Sequence, residues 1–306
     1  MLMLGGLISL LFAGLAVDVT AATRSETDGD EDNPDNPDPV DPGHNGGGDD
    51  GDDEDDQTVT GTDDSDWLAG GDGDDLLDGQ GGNDDLHGGL GDDTLLGGDG
   101  TDWIYGDDDY GPGGDDSIDG GAGDDSLAGQ GGDDTVHGGD GDDTIFGGEG
   151  DDSLTGGDGN DWISGNAGND TLVAGRGEDD LDGGAGDDVL HGSDSDDVAW
   201  LHGGEGNDTL HLGAGDFAEG GAGQDHFTLS DPGTSVPTIG DYTHGEDSIE
   251  LRYHAAADAP DPVVTLEHDD NGGAVIRMDG EAVGRLLKAD GLRAQDITLT
   301  RLEPQH

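Results

Sequence analysis

The sequence predicts an all-β protein in which short parallel strands wind into a solenoid, a β-roll. Three observations carry this prediction: a nine-residue repeat in the middle of the chain, one apolar residue in each repeat, and glycine at fixed places between the apolar residues. A period of nine fits neither an α-helix nor a plain array of hairpins. Each repeat is therefore interpreted as a short strand followed by a glycine-rich turn.

The repeat runs from Gly61 to Thr228 and has the form G-G-x-G-x-D-x-U-x, where U is apolar. GGEGDDSLT, which begins at Gly147, is a typical unit. The units that begin at Gly61, Gly192 and Leu212 are degenerate. Gly106 to Tyr110 is interpreted as a five-residue insertion. The units that satisfy every position begin at Gly70, Gly88, Gly97, Gly120, Gly138, Gly147, Gly156, Gly183, Gly203 and Gly220.

The apolar residues of the repeat are predicted to form the core. Two nonapeptides make one turn, so that alternate repeats lie above each other at the strand spacing of about 4.8 Å. The residues expected to stack inside the solenoid include Leu77, Leu95, Ile104, Leu127, Ile145, Leu154, Ile163, Leu172 and Leu190.

Composition restricts the partners of the chain. It has 77 acidic and 8 basic residues, which give a formal net charge of -69. Nucleic acid and anionic membrane surfaces are bound by basic patches, so both are excluded as partners, and the natural counter-charge is a cation. Cysteine is absent, which excludes disulfides and thiolate metal sites. No HExxH motif occurs and residues 1–60 leave no room for a catalytic domain, so the protein is expected not to be an enzyme.

Residues 1–22 and 23–60 are predicted to precede the roll. The first segment is almost entirely apolar and lacks the basic start of a signal peptide, so it is either an export segment or a membrane anchor. The second mixes acidic runs with proline and glycine, holds almost nothing apolar, and is predicted to be a disordered linker. Membrane contact is expected only through residues 1–22, if they are not cleaved.

Residues 229–306 are predicted to form a separate β-rich cap, to which the family resemblance given below adds a role in secretion. Six of the eight basic residues fall there. The runs PVVTLEH and AVIRMDG, separated by Asn271-Gly272-Gly273 and followed by Asp279-Gly280, indicate β-hairpins. Such an element would cover the open end of the roll, as the terminal units of solenoids do.

The turns of the repeat are predicted to bind calcium. Glycine allows the backbone to turn its carbonyl oxygens inward, and the aspartate at position six supplies charge. A cage of carbonyl and carboxylate oxygens between stacked turns suits Ca²⁺, whereas Mg²⁺ prefers a smaller octahedron and transition metals prefer imidazole or thiolate. Position five varies in residue type, as expected of a side chain that faces water. Counting pairs of position-six aspartates in alternate units predicts about 10 to 15 ions.

The predicted carboxylate ligands are Asp66, Asp75, Asp84, Asp93, Asp102, Asp116, Asp125, Asp134, Asp143, Asp152, Asp161, Asp170, Asp179, Asp188, Asp197, Asp208 and Asp225. The predicted carbonyl ligands are Gly71, Gly73, Gly89, Gly91, Gly121, Gly123, Gly139, Gly141, Gly148, Gly150, Gly157 and Gly159.

GGEGDDSLT and the other units resemble the RTX, or hemolysin-type, calcium-binding repeat. The segment from Gly220, GGAGQDHFTLSDPGTSVPTIGDYTHGEDSIEL, also resembles the final repeat and cap of serralysin-type secreted proteins. The resemblance implies a parallel β-roll that holds calcium between alternate turns, folds when extracellular calcium binds, and is secreted. It also implies a structural or interaction role at a cell surface or in a matrix.

Four other interpretations stand beside this one. The first is that the roll serves as a non-catalytic accessory module of a secreted enzyme or of a surface-layer or adhesion assembly. Histidines at position nine could suggest zinc, but they fall on both faces of the roll. Trp67, Trp103 and Trp162 share position seven and are expected on one outer face, where they would stack on sugars or serve simply as outward-facing strand residues. An ice-binding role is weak because position three carries no threonine series.

Overall fold

A computed structural model describes residues 56–107, 113–193, 197–230, 235–255 and 259–302. The chain divides into two units, Met1–Gly47 and Gly48–His306, and the first lies wholly outside the described residues. The predicted export or anchor segment and residues 23–55 of the predicted linker are therefore outside them too. Within the described ranges, no helix has the length and apolar character needed to span a membrane.

The described strands form two sheets that face each other, as consecutive strands alternate between them. The first sheet has 12 strands in the order β1 Thr58–Thr60, β3 Leu76–Asp78, β5 Thr94–Asp99, β7 Ser117–Ala122, β9 Thr135–Asp140, β11 Ser153–Asp158, β13 Thr171–Arg176, β15 Val189–His191, β17 Thr209–Leu212, β19 His226–Leu229, β21 Ser248–His254 and β25 Ile297–Leu302.

The second sheet has 13 strands among the described residues, and a short 3₁₀ helix, Ala294–Asp296, precedes β25. Its order is β2 Trp67–Asp72, β4 Asp85–Leu90, β6 Trp103–Asp107, β8 Ser126–Gly131, β10 Thr144–Glu149, β12 Trp162–Ala167, β14 Asp180–Ala185, β16 Trp200–Glu205, β18 Phe217–Ala222, β20 Thr238–Ile239, β24 Glu281–Leu286, β23 Ala274–Met278 and β22 Val264–His268.

The predicted β-roll is confirmed by the register of these sheets. Neighbouring strands are parallel and pair equivalent repeat positions, as Leu154 pairs with Leu172 and Ile145 with Ile163. Position eight of every repeat points between the two sheets, and the residues predicted to stack there are fully buried. The core is thus a single file of aliphatic side chains along each sheet.

Glycine at positions two and four is required by the close stacking of the turns. Gly139 and Gly141 have φ values of 120° and 137°, a region that disfavours side chains. A Cβ atom at Gly139 would overlap the carbonyl oxygen of Gly121, and one at Gly141 would overlap that of Gly123. The turns therefore stack backbone on backbone, with carbonyl oxygens lying between successive turns.

The roll extends beyond both predicted boundaries. At its start, β1 lies within the predicted linker and pairs with β3, and the backbone N–H of Gln57 donates to Asp75. At its end, β21 and β25 continue the first sheet and β20 and β24 continue the second, far beyond Thr228. The predicted hairpins are confirmed, because β22, β23 and β24 are antiparallel neighbours. The predicted cap therefore contributes two described strands to the first sheet and four to the second.

Repeat phase differs from the prediction in two alternate units, those at Gly192 and Leu212, whose turns are neighbours along one edge of the roll. Asp197 is predicted at position six, but Ala199 occupies that place because Trp200 pairs with Asp180 and Leu201 with Leu181. The unit at Leu212 has eight residues instead of nine, so that Asp216 rather than Phe217 takes position six. In both units the buried position-eight residue sets the register, and the turn absorbs the difference in length.

Candidate metal centre

The position-six aspartates form a ladder along each edge of the roll. One carboxylate oxygen, Oδ1, accepts the backbone N–H of the position-six residue two units earlier. Asp161 Oδ1 accepts from the N–H of Asp143 at 2.9 Å, and Asp143 Oδ1 accepts from that of Asp125 at 2.9 Å. The strand that follows begins immediately after each aspartate, so the sheet register fixes the height of every carboxylate in the column.

The other oxygen of these carboxylates, Oδ2, is buried and has no hydrogen-bond partner at fourteen described positions. An unpaired buried carboxylate oxygen costs free energy, so it indicates a missing positive or donor group. The aspartates concerned are Asp75, Asp84, Asp93, Asp102, Asp116, Asp125, Asp134, Asp143, Asp152, Asp161, Asp170, Asp179, Asp188 and Asp208.

Thirteen of these unpaired oxygens lie against the glycine at position one of their unit, and Asp179 belongs to the unit that begins at Ala174. A Cβ atom at Gly138 would overlap Asp143 Oδ2 and would stand 2.6 Å from the carbonyl oxygen of Gly156. The same relation holds at Gly97, where Asp102 Oδ2 and the Gly120 carbonyl oxygen each lie 2.5 Å from the Cβ position. A carboxylate oxygen and a neutral carbonyl oxygen thus converge on space that a side chain cannot occupy.

Burial of these carboxylates raises their pKa values. Burial is the largest cause throughout the ladder, and the charges of neighbouring aspartates raise the pKa further against the lowering effect of the backbone hydrogen bond. The pKa reaches about 6 at Asp143, about 7 at Asp161 and about 8 at Asp116. The ionised ladder is therefore unfavourable in the folded roll unless a cation balances it.

The donor set fits a hard cation. Among the described residues, no group of three or more His, Cys, Asp or Glu side chains lies close enough to hold a metal by side chains alone. Each turn instead offers one carboxylate with backbone carbonyl oxygens, a mixture of charged and neutral oxygen ligands that Ca²⁺ accepts. The twelve predicted glycine ligands all lie in these turns, with φ between 102° and 156°.

Asp66 and Asp225 lie at the two ends of the predicted series of ligands, and Asp66 is differently bonded while Asp225 keeps the ladder bond. Asp66 is half-buried, and its Oδ2 accepts the N–H and hydroxyl of Thr62. Asp225 Oδ1 accepts the N–H of Asp208 at 3.1 Å. Asp197 lies outside the ladder for the reason of register given above.

Two residues of the ladder were not predicted from the sequence. Asp216 Oδ1 accepts the N–H of Ala199, and Oδ2 accepts that of Gly213. Asp247, in the predicted cap, accepts the N–H of Asp225 at 3.1 Å and thereby adds a further rung. The signal for Asp247 is present in the sequence, because HGEDSI repeats the x-G-x-D-x-U phase of the nonapeptide.

Position five is exposed, as predicted, but its side chain has a structural role. The Oδ1 atom of Asp142 accepts the backbone N–H of Asn160 at 2.8 Å, and Asp124 Oδ1 accepts that of Asp142 at 3.0 Å. Asparagine serves equally: Asn160 accepts the N–H of Glu178, and Asn207 accepts that of Gln224. This second ladder therefore needs an acceptor at the right height and does not need a charge.

The four tryptophans all lie on the outer face of the second sheet. Trp67, Trp103, Trp162 and Trp200 are 61%, 57%, 40% and 49% exposed and each begins a strand. Phe146 packs edge-on against Trp162 with ring centroids 4.9 Å apart, and Trp200 lies 5.4 Å from Phe217. The shared face predicted for Trp67, Trp103 and Trp162 is confirmed, and we call this the aromatic face.

The position-nine histidines divide between the sheets. His87 lies on the aromatic face, stacked 5.1 Å from Tyr105. His137, His191 and His211 lie on the opposite sheet, where the rings of His191 and His211 stack 4.4 Å apart. Burial, followed by the charge of His191, lowers the pKa of His211 to about 4.

The family model of the RTX calcium-binding nonapeptide repeat matches the chain at residues 46–86, 60–95, 78–111, 110–145, 137–172, 146–181, 173–200 and 199–227. These overlapping matches span more than half of the chain. The chain belongs to this family. The RTX repeats bind calcium in a β-roll, which agrees with the ladder of unpaired carboxylate oxygens. The match ends at residue 227, so it does not include the serralysin-like segment beyond it.

One similar solved structure is the solution structure of the R3 subunit of the mannuronan C5-epimerase AlgE6 from Azotobacter vinelandii. It is 24% identical over 51% of this chain and 77% of that chain, with a TM-score of 0.24. No curated protein matches the RTX chain.

Proposed function

We propose that this RTX protein is a secreted, non-catalytic module that folds when about 10 to 15 Ca²⁺ ions fill its two columns of turns. The observation that carries the proposal is the set of fourteen buried, unpaired Oδ2 atoms, eleven of which lie with a glycine carbonyl oxygen around a position-one glycine. The charged ligands proposed are the position-six aspartates, with Asp216 and Asp247 added and Asp197 removed. The neutral ligands are carbonyl oxygens of the turn glycines.

Folding is proposed to depend on calcium because the ladder repels itself. Carboxylates about 5 Å apart repel each other by about 3 kcal/mol at an effective dielectric constant near 20. Repulsion of this size between many successive rungs exceeds the stability of a typical domain. Binding of divalent ions removes it and drives folding by mass action.

The test is a calcium titration of the full chain, followed by circular dichroism and equilibrium dialysis. We expect little β signal in chelator, a full β signal at millimolar calcium, and about 10 to 15 ions bound per chain at saturation. A full β signal in chelator would contradict calcium-dependent folding. Retention of only one or two ions by the folded chain would contradict the proposed stoichiometry.

The segment beyond residue 229 is proposed to cap the roll. Its strands extend both sheets, Asp247 continues the ladder, and the antiparallel strands β22 and β23 change the direction of pairing at the edge. Arg301 in β25 donates to the carbonyl oxygen of Ala259 and to Asp261, both at 2.8 Å. These bonds tie the last strand to the segment that precedes β22.

A second proposal concerns the aromatic face, which we infer binds a neutral polysaccharide. Trp67 and Trp103 are two strands apart in the sheet, as are Trp162 and Trp200, so each pair is separated by about 10 Å. That spacing is on the scale of a disaccharide unit in an extended glycan. Asp85 and Asp180 lie between the members of the two pairs and offer acceptors for sugar hydroxyls. The charge of the chain opposes binding of polyanionic glycans.

The glycan proposal is tested with insoluble cellulose in calcium-containing buffer. We expect the wild-type roll to sediment with cellulose, and Trp162→Ala and Trp200→Ala to weaken this retention. Leu76→Ala is the control, since Leu76 is exposed on the opposite sheet. Equal retention of all variants, or none by the wild type, would contradict glycan binding by this face.

A further inference from the structure

One turn of the roll contains a buried carboxylate that the repeat does not supply. Strand β6 ends at Asp107, which is 4% exposed and pairs with Gly89, a position-two glycine. Asp107 therefore stands at position two of its unit, so the predicted insertion at Gly106 to Tyr110 is wrong: the five inserted residues are 108–112, outside the described residues. Most other units have glycine at this position.

The Asp107 carboxylate lies within the turn. Its Oδ1 accepts the N–H of Gly114 at 3.1 Å, and its Oδ2 accepts the N–H of Gly131, in the next turn of the column, at 3.2 Å. A Cβ atom at Gly113 would stand 2.7 Å from Oδ2. The carboxylate thus bridges two successive turns along the edge of the roll.

The same turn also holds an orphaned position-six oxygen. Asp116 is 2% exposed and its Oδ2 has no partner, as is true of Asp134 Oδ2 in the next turn. A Cβ atom at Gly106 would overlap Asp116 Oδ2 and would stand 2.7 Å from the carbonyl oxygen of Gly129. Two carboxylates therefore belong to one turn and lie next to a carbonyl oxygen of the following turn, whereas an ordinary turn has one carboxylate.

Electrostatics single out this turn within the ladder. Burial is the largest cause of the raised pKa of Asp116, and Asp107 is the strongest charge acting on it, which together bring the pKa to about 8. Asp107 is also the strongest charge acting on Asp134. The negative potential of the turn is therefore greater than that of the Asp143 or Asp161 turns, where no such residue is present.

We propose that Asp107 and Asp116, with the carbonyl oxygen of Gly129 in the following turn, form the tightest calcium site of the roll, and that calcium-driven folding starts there. The affinity of calcium sites increases with the number of charged ligands. Solenoids fold from whichever unit is most stable and propagate to its neighbours. The inference rests on the proposed calcium-coupled folding and adds to it a specific starting point.

The experiment compares the full chain with Asp107→Asn, Asp107→Gly and the control Asp115→Asn. Asp115 occupies exposed position five of the same turn, where its Oδ1 accepts the N–H of Asp133. Asparagine fills that role elsewhere, as Asn83 does for Thr101, so the control removes the same charge and keeps the hydrogen bond. Bound calcium is counted in chelator-buffered solutions of decreasing free calcium, and hydrogen exchange is followed below the folding midpoint.

We expect the wild type and Asp115→Asn to retain a last ion at free calcium roughly tenfold lower than either Asp107 variant does. In the wild type, peptides covering residues 85–135 should gain protection from exchange before the other repeats. If the Asp107 variants retain calcium as Asp115→Asn does, Asp107 is only a structural bridge. Protection that begins elsewhere in the wild type overturns the proposal even if the Asp107 variants fail to fold.

A wild-type chain that is fully folded in chelator would instead overturn the proposed calcium-coupled folding. The two failures are therefore distinguishable.

Discussion

Asp142 and Asp143 are adjacent aspartates with different surroundings, and they provide the sharpest test of the calcium ladder. Asp143 is buried, and its Oδ2 is unpaired beside the carbonyl oxygen of Gly156. Asp142 is exposed, and its Oδ1 accepts the N–H of Asn160. Asp143→Asn removes a proposed charged ligand, whereas Asp142→Asn removes the same charge and keeps the acceptor. Alanine would be a poorer control at position 142 because it also removes the hydrogen bond.

The expected effect of Asp143→Asn follows from the loss of one charged partner at a buried site. Removing one partner from a buried ion pair costs about 3 kcal/mol or more. If about 10 ions bind in one cooperative transition, mass action divides this loss among them and raises the calcium midpoint about 1.7-fold. If only about three neighbouring ions are coupled, the same loss raises the midpoint about fivefold. The measured factor therefore reports the size of the cooperative unit.

The assay is circular dichroism during calcium titration of the wild type and both variants at one ionic strength. We expect Asp142→Asn to leave the midpoint unchanged or to lower it slightly, because it reduces repulsion between turns. Equal midpoints for the two variants would refute the assignment of position six as the ligand. A lower midpoint for Asp143→Asn than for the wild type would do so as well.

Two further predictions concern pH and the cap. Because the folded pKa values of Asp143, Asp161 and Asp116, about 6 to 8, lie above the unfolded value of 3.8, the metal-free roll binds protons that the unfolded chain releases. Its stability should be greatest near pH 4 and lost as pH rises through 6 to 8, so calcium-free protein should gain β signal at pH 5 relative to pH 8. In calcium, protons compete with the metal, and the midpoint should rise as pH falls below about 7; the opposite trend in either titration would contradict the ladder. Removing residues 230–306 should raise the calcium midpoint by uncovering the ends of both sheets, and an unchanged midpoint would show that these residues do not cap the roll.

The roll itself was predictable because its determinants are local. Every complete unit has the same three features: a buried apolar residue at position eight, glycine where the turns contact each other, and aspartate before the strand. The register then follows from stacking Leu154 on Leu172 and its equivalents. The hairpins after residue 260 were predictable for the same reason, since Asp279 and Gly280 mark the turn and both have positive φ.

The phase of the units after Gly192 was not predictable by counting nine residues. The register of these strands is set by burial of Leu201 and Ala218 and not by a constant repeat length. The turns therefore differ in length while the sheets remain continuous. The end of the roll could not be predicted from composition either, because the composition changes after residue 228 whereas both sheets continue. The strands that continue the sheets there have lost the glycines of the repeat, although Asp247 preserves the aspartate ladder.

The two aspartate ladders differ in a way that residue type does not reveal. At position five, Oδ1 accepts the N–H of the residue two units later, and at position six it accepts that of the residue two units earlier. Only the position-six carboxylate then has its second oxygen, Oδ2, buried between the turns, because the following strand begins at the next residue. Variation to asparagine at position five is tolerated for this reason, while position six keeps its charge throughout the complete units.

The position-six ladder leaves the folded roll with two ways to remove its repulsion, and they differ in their dependence on pH. Monovalent salt is ineffective, since the Debye length of about 8 Å at physiological ionic strength exceeds the spacing of about 4.8 Å between turns. Protons neutralise the carboxylates only as pH falls toward the raised pKa values, whereas calcium acts on the ionised form and also engages the carbonyl oxygens. At neutral pH the carbonyl oxygens therefore favour calcium over protons. The proposed calcium-coupled folding therefore predicts a chain that is unfolded at low calcium and folded where calcium is abundant, at a pH where protons alone cannot neutralise the ladder.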